Sequence, residues 1–214
     1  MLTSILALFL ALAAAAPQEV KGLIDNNRVT VRENATIHGT VGKTPTLVGD
    51  GCYLMVGSHV AHDCKLGKNI ILANGALLAG HVEIGDGAII SGNVVIHQFV
   101  RIGKLAFISG GSRIGMDVPP YLIADGVNTV TTLNAVGLRR AEFLSNNDRR
   151  EIKAAYKILY RGGLDLKDAL LQIERELKSS AIQEWLQFFS SPSRRGFCRH
   201  RVGGRRSPPD ENGE

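Results

Sequence analysis

Along the first half of the chain the aliphatic positions recur with a period of six. Read from Val48, every sixth residue is Val48, Leu54, Val60, Leu66, Leu72, Leu78, Ile84, Ile90, Ile96, Ile102, Ile108 and Ile114, twelve aliphatic side chains in register. The residue after each is Gly, Ala or Ser in ten of the twelve, which leaves room for a turn. The fifth position is also small or branched, as at Cys52, Ser58, Cys64, Ala76, Ala88, Val100 and Ser112. A period of six fits neither a helix nor simple strand alternation. It predicts short strands joined by tight corners, the hexapeptide form of the parallel β-helix, with the aliphatic residue pointing into a narrow prism. Three hexads make one triangular coil. In this fold class the coils wind left-handed, an exception to the usual right-handed crossover; the handedness comes from the class and not from the spacing.

Val31 and Ile37 keep the period, but eleven residues separate Ile37 from Val48, so Gly39 to Leu47 is expected to hold a loop that leaves the prism. Val118-Pro119-Pro120 is expected to end it, because two prolines cannot continue a paired strand. The last third changes period. Asn147-Asp148 can cap a helix carrying Ile152, Tyr156, Leu159 and Tyr160 on one side, stopped by Gly162-Gly163. Asp165 can start a second, with Leu166, Ala169, Leu170, Ile173 and Leu177 in phase. A third carries Ile182, Trp185, Leu186 and Phe189 and ends before Pro192. A quasi-one-dimensional β-helix needs end caps, and these helices supply one. The predicted architecture is therefore mainly β: a leader or divergent start over 1–16, a partial β-helix over 17–120, an α-helical C-terminal domain over 121–193, and a disordered basic tail over 194–214.

With 44% hydrophobic and 21% charged residues, the 214-residue chain can bury a core, and long disorder is excluded. Three Cys cannot form a disulfide framework and lack the close pairing of a zinc ribbon. The net charge of +5 is uneven: six Arg fall in 194–214, and the remainder, with 19 basic and 17 acidic side chains, is close to neutral. Nucleic acid is not an expected partner. Residues Met1 to Ala16, MLTSILALFLALAAAA, carry no charge. Their apolar run is shorter than the ~20 residues of a membrane-spanning helix, so no transmembrane span is expected. It resembles the apolar part of a secretory signal, but no Lys or Arg precedes it.

The 18-residue coil gathers histidines. His62, Gly80 and Gln98 are 18 apart, as are Asp63, His81 and Phe99, and as are Ala61, Ala79 and His97. One corner of the prism is therefore expected to hold His62, His81, His97, Asp63 and Gln98, with His59 three residues ahead. A lone His in a strand is usually a satisfied polar residue; four gathered by the fold's own period are a candidate site. Asp63, beside His62, can orient an imidazole and raise its basicity. Three chemistries fit: a neutral imidazole acting as general base on a hydroxyl, its ordinary pKa being about 6.5; a metal site; or a polar ladder without activity. No histidine pair has an obvious ligand spacing along the chain, so neither metal nor cofactor is expected.

These residues carry a resemblance to a known family. His59-Val-Ala-His62-Asp-Cys, Leu72-Ala-Asn74, Leu78-Ala-Gly80-His81-Val, His97-Gln98-Phe99, Asp117-Val-Pro-Pro-Tyr121, Asn134-Ala-Val-Gly-Leu-Arg-Arg140 and the ending Phe188-Phe189-x-x-x-x-Ser-Arg-Arg-Gly196 resemble UDP-N-acetylglucosamine acyltransferases of lipid A synthesis. The resemblance covers about residues 24 to 196. It implies a cytoplasmic homotrimer that moves a 3-hydroxyacyl chain from acyl carrier protein to the 3-hydroxyl of UDP-N-acetylglucosamine. It implies that His62 is the general base, that Asp63 orients it, and that the N–H of Gly80 meets the developing oxyanion. His59, His81, His97 and Gln98 would line the sugar-nucleotide or pantetheine path. Asn134 and Arg140 would hold substrate phosphate or carrier groups, for which an Arg fork is suited. Leu77 and Leu78 are expected in the core.

Pro17-Gln18-Glu19-Val20-Lys21 resembles the family's Pro-Gln-Asp-x-Lys segment, so Gln18, Glu19 and Lys21 are expected near the nucleotide sugar, with Glu in place of Asp. By the same resemblance, roughly three coils ahead of it are missing, which reads as a truncated or misjoined start. Gly110 matches the position that measures acyl length, and by resemblance predicts a chain of about fourteen carbons; the bland alternative is that Gly110 only permits a corner. The functional alternative is a non-catalytic trimeric β-helix. The N-acyltransferase of the same pathway is a further option, lacking here its usual uridine-binding domain.

Overall fold

The computed structural model describes residues 28–41 and 45–200. The expectations for 1–16, for Gln18, Glu19 and Lys21, and for the tail from 201 onward lie outside these residues. The fold is a left-handed parallel β-helix closed by a helical cap.

Fourteen two-residue strands build the prism. β1 (Thr30–Val31) and β2 (Thr36–Ile37) precede the loop; β3 (Leu47–Val48) to β14 (Arg113–Ile114) then follow at six-residue intervals without interruption. From β1 to β11 each pairs in parallel with the strand three places on, so Val60 sits on Leu78 and Leu78 on Ile96. The second residue of every strand from β3 to β14 is buried, while the first faces outward. Leu78 is accordingly in the core, but Leu77 is not: it is 41% exposed on the outer face. Ile37 registers with Val60 although 23 residues separate them, five more than a coil, which accounts for the loop. Leu47 itself already belongs to the prism.

Pro119-Pro120 does not end the sheet. Val118 bridges to Ile102, and β15 (Leu122–Ala124) adds a parallel rung to β13 (Phe107–Ile108). The prolines fall at a corner, where no ladder hydrogen bond is asked of them, and the last coil is shortened from 18 residues to 16. β16 (Thr129–Leu133) turns back antiparallel to β15.

The cap follows. A short helix that periodicity had not revealed, α1 (Ala135–Arg140), is capped by the Asn134 side chain accepting from Gly137 N. α2 (Asn146–Arg161) starts one residue before Asn147-Asp148: Ser145 is its cap, and Asp148, at the third helical position, closes a reciprocal capping box. α3 (Leu166–Glu176) is capped by Asp165 as predicted, and α4 (Ser180–Ser190) buries Ile182 and Trp185. The chain beyond 193 is not disordered up to His200. β17 (Arg199–His200) pairs with β16, Cys198 is buried, and Asp117 exchanges backbone hydrogen bonds with Gly196 and Cys198. The Asp117 carboxylate, fully buried, takes the Arg101 N–H at 2.8 Å and Nε at 2.7 Å, while the Arg101 guanidinium lies over Phe188 at 4.6 Å. Charge count alone hid this anchor. Among the described residues, no helix is long and apolar enough to cross a membrane.

Candidate active site

The corner between β5 (His59–Val60) and β6 (Lys65–Leu66) carries His62 and Asp63, and the two corners stacked on it carry Gly80-His81 and Gln98-Phe99. The stacking is direct: His81 N donates to His62 O at 3.0 Å and Phe99 N to Gly80 O at 3.1 Å. The third residue of each corner has a left-handed backbone, with φ of 60° at Asp63, 60° at His81 and 66° at Phe99. The corner stacked over Gly57 fills this conformation with Gly75, Asn93 and Gly111, which adopt it cheaply. At the histidine corner two bulky side chains are held there instead, at about 1–2 kcal/mol each. Such local strain concentrates where side-chain placement is needed for function.

The His62 ring lies against Gly80. A methyl group on Gly80 would stand 2.6 Å from His62 Cε1 and 2.7 Å from Nε2. His62 Nδ1 is 2.7 Å from Asp63 Oδ2. Asp63 is almost wholly buried, and its N–H donates to Thr46 Oγ1 at 2.7 Å. Because a carboxylate only accepts, Nδ1 carries the ring proton and Nε2 presents a lone pair. Among the described residues, no hydrogen bond engages the Gly80 N–H. His81 stands edge-on to His62, 5.2 Å between centroids, with Nε2 3.7 Å from Asp63 Oδ2. It is stacked on Phe99 at 4.7 Å, and the Arg194 guanidinium lies over the Phe99 ring at 4.6 Å.

The other expected residues are placed less tightly. His59 is on an outward strand position, its Nδ1 2.7 Å from Thr36 Oγ1 and its ring 4.6 Å from that of His38. Burial, then the neighbouring His38, holds its pKa below the ordinary value. His97 and Gln98 are exposed one coil beyond His81, with His97 Nδ1 3.3 Å from the Gln98 carbonyl. No ring contact joins His97 to His62 or His81 among the described residues. Asn134 and Arg140 line a separate apolar cleft of about 790 Å³ between α1 and the outer face of β10 (Ile89–Ile90), β13 and β15. The Asn134 amide is used locally: besides capping α1 it donates to Leu105 O at 2.8 Å. Gly110 lies at the opposite edge from His62 of the sheet formed by β14, β11 (Val95–Ile96), β8 (Leu77–Leu78), β5 and β2, and the exposed Leu77 and Val95 lie between. Its φ is ordinary; the left-handed residue of that corner is Gly111. A Cβ on Gly110 would meet Gly92 O at 3.4 Å and Ser91 Cβ at 4.0 Å, ordinary contacts, so the corner does not require glycine there.

Two contributors escaped sequence reading. Thr46 occupies the fifth hexad position, inward-facing and otherwise apolar or small, and a polar residue at such a position was the available signal. Arg194 had none, because its partner Phe99 is far off in sequence.

Known proteins match this chain along both parts. A family described as UDP N-acetylglucosamine O-acyltransferase, domain 2, matches residues 117–198, and one described as bacterial transferase hexapeptide (six repeats) matches residues 45–80. An acyl-[acyl-carrier-protein]–UDP-N-acetylglucosamine O-acyltransferase of an Anaeromyxobacter species is 42% identical over 176 residues, 78% of this chain and 68% of the relative. That of Halorhodospira halophila is 47% identical over 173 residues, 79% of this chain and 67% of the relative. Among solved structures, UDP-N-acetylglucosamine acyltransferase from Campylobacter jejuni is 36% identical with a TM-score of 0.76, covering 84% of this chain and 70% of that one. The Arabidopsis enzyme gives the same identity and TM-score, covering 82% and 64%.

Proposed function

The chain belongs to the UDP-N-acetylglucosamine O-acyltransferase family, and from that membership we propose that it transfers a 3-hydroxyacyl chain from acyl carrier protein to the 3-hydroxyl of UDP-N-acetylglucosamine, the first step of lipid A synthesis. The observation that carries the mechanism is the His62–Asp63 pair lying against Gly80. Asp63 holds the Nδ1 proton, so Nε2 takes the proton of the sugar hydroxyl as its oxygen attacks the thioester carbonyl. The resulting oxyanion is met by the Gly80 N–H. The C–S bond then breaks, and the carrier's thiolate leaves with the proton from the His62 imidazolium. Proton and thiol are thus both accounted for, and no cofactor enters.

His59, His81, His97 and Gln98 border the approach to this corner, and Gln18, Glu19 and Lys21 are proposed to hold the nucleotide sugar. Arg140 and Asn134 are assigned to the carrier or phosphate side, at the apolar cleft on another prism face. That separation fits a homotrimer, in which one protomer's cleft faces another's histidine corner. The acyl chain is proposed to run over Leu77 and Val95 toward Gly110, three rungs from His62 along the axis, about 14 Å at the usual strand spacing. A cytoplasmic setting accords with both substrates. An intact dyad on strained backbone argues against the non-catalytic reading.

The test is mass spectrometry of the product from UDP-N-acetylglucosamine with a series of 3-hydroxyacyl carrier proteins. The reading requires a 3-O-acyl ester, with the optimum moving to shorter chains in Gly110→Met. Calorimetric binding of the sugar nucleotide with no ester at any chain length would overturn it.

A further inference from the structure

Asp63 Oδ2 is approached by two imidazole nitrogens at once. His62 Nδ1 is 2.7 Å away and His81 Nε2 3.7 Å, and the three residues each bring one ligand atom to within 4.8 Å of the others. The first distance is a hydrogen bond; the second is too long for one. A tetrahedral zinc ion has bonds of about 2.0–2.1 Å and therefore ligand-to-ligand separations of about 3.3 Å. The two distances to Asp63 straddle that value, and a turn of the His81 ring toward His62, closing a separation of up to 4.8 Å, would seat an ion among the three residues.

We propose that the His62–Asp63–His81 corner binds one zinc-class divalent cation reversibly, and that the bound ion switches the transferase off. The inference rests on the reading of His62 as base. Spacing along the chain concealed the donor set, because His62 and His81 are nineteen residues apart and meet only through the coil. Two imidazoles and one carboxylate are a donor set for zinc and poor for magnesium, which prefers oxygen. The Asp63 charge offsets half of the ion's, and its backbone N–H is held by Thr46. Both rings are about one-third exposed, and a cleft of about 220 Å³ opens on Asp63 and His81, which gives an entry path. Of the cations on that cleft, Lys65 is paired with Glu83 and Arg101 with Asp117, while Arg194 lies on Phe99.

The inhibition follows from which nitrogen is taken. Nδ1 must give up its proton to accept the metal, and the ring stays neutral by carrying that proton on Nε2. The atom that would receive the sugar proton then has no lone pair to offer. The fourth zinc position stays open, so the sugar nucleotide is not displaced, and the loss falls on kcat more than on KM.

The experiment uses the full, untagged, chelator-treated chain. Zn²⁺ is titrated by calorimetry, Co²⁺ by its visible absorption, and Mg²⁺ serves as control, for wild type, His81→Phe and Asp63→Asn, with circular dichroism to verify folding. Wild type is expected to bind one Zn²⁺ per chain, to show tetrahedral Co²⁺ bands and to ignore Mg²⁺. Each substitution is expected to weaken Zn²⁺ by about 10–100-fold or more, and Zn²⁺ to lower wild-type kcat with KM nearly constant. Equal Zn²⁺ affinity in wild type and His81→Phe, or Zn²⁺ bound with kcat unchanged, overturns the proposal. If the chelated chain transfers no acyl group, the functional reading fails instead, and the Co²⁺ spectrum still reports on the site.

Discussion

The imidazole of His62 rests on Gly80 so closely that a single methyl group there would overlap it, at 2.6 Å from Cε1. Gly80 has an ordinary backbone conformation, so glycine is required by the neighbouring ring and not by the turn. Gly80→Ala should therefore fold normally, because the ring can swing aside. That movement breaks the 2.7 Å contact with Asp63, and transfer should fall by about 10²–10⁴-fold, the usual worth of a positioned base. Steady-state kinetics alongside a thermal melt check this; an alanine variant with wild-type turnover would show that the contact is incidental.

The left-handed backbone at His81 gives an inverted order of stability. Alanine ordinarily outranks glycine, but at φ 60° it retains the strain that glycine escapes. His81→Gly should be more stable than His81→Ala by about 1 kcal/mol, as read from urea midpoints. Both lose the stacking on Phe99 and the edge contact with His62. The reverse order would mean that the corner stores no strain.

The buried Asp117 carboxylate holds the Arg101 guanidinium over Phe188 and Phe197, while the Asp117 backbone pairs with the segment leading into β17. Removing it strands the guanidinium between aromatic rings, at a cost of about 3–5 kcal/mol. Asp117→Ala should melt far below wild type and expose the 194–200 segment to limited proteolysis. A loss below 1 kcal/mol would make the anchor unimportant.

His59 sets a pH dependence. Burial, and then the adjacent His38, disfavours its charged form, so the folded chain takes up fewer protons there than the unfolded chain does. The sign is that stability is full above the ordinary value of 6.5 and declines as pH falls through it. His59→Gln should lose less stability than wild type between about pH 7.5 and about pH 5. Chemical denaturation at the two pH values provides the comparison, and identical losses would refute the assignment.

The hexad period made the prism legible down to single residues, because one repeated geometric demand acts twelve times over. It also placed His62, Asp63 and Gly80 together, since an exact 18-residue coil converts spacing into stacking. Legibility ended where that demand ended. The shortened last coil around Pro119-Pro120, the helix α1 and the docking of 194–200 all depend on contacts between distant segments, such as Arg101 with Asp117 and Phe188. No periodicity encodes those. His59 and His97 show the opposite limit: they share the corner's register, yet their side chains settle on Thr36 and on the Gln98 carbonyl.

The central claim is that His62 takes the proton from the sugar hydroxyl. Its most direct test is the single-turnover rate of acyl transfer from a 3-hydroxyacyl carrier protein to UDP-N-acetylglucosamine, in wild type and His62→Ala, with the sugar-nucleotide Kd measured on both. The account predicts a rate lower by about 10²–10⁴-fold at nearly unchanged Kd. A His62→Ala chain that transfers at the wild-type rate would contradict it.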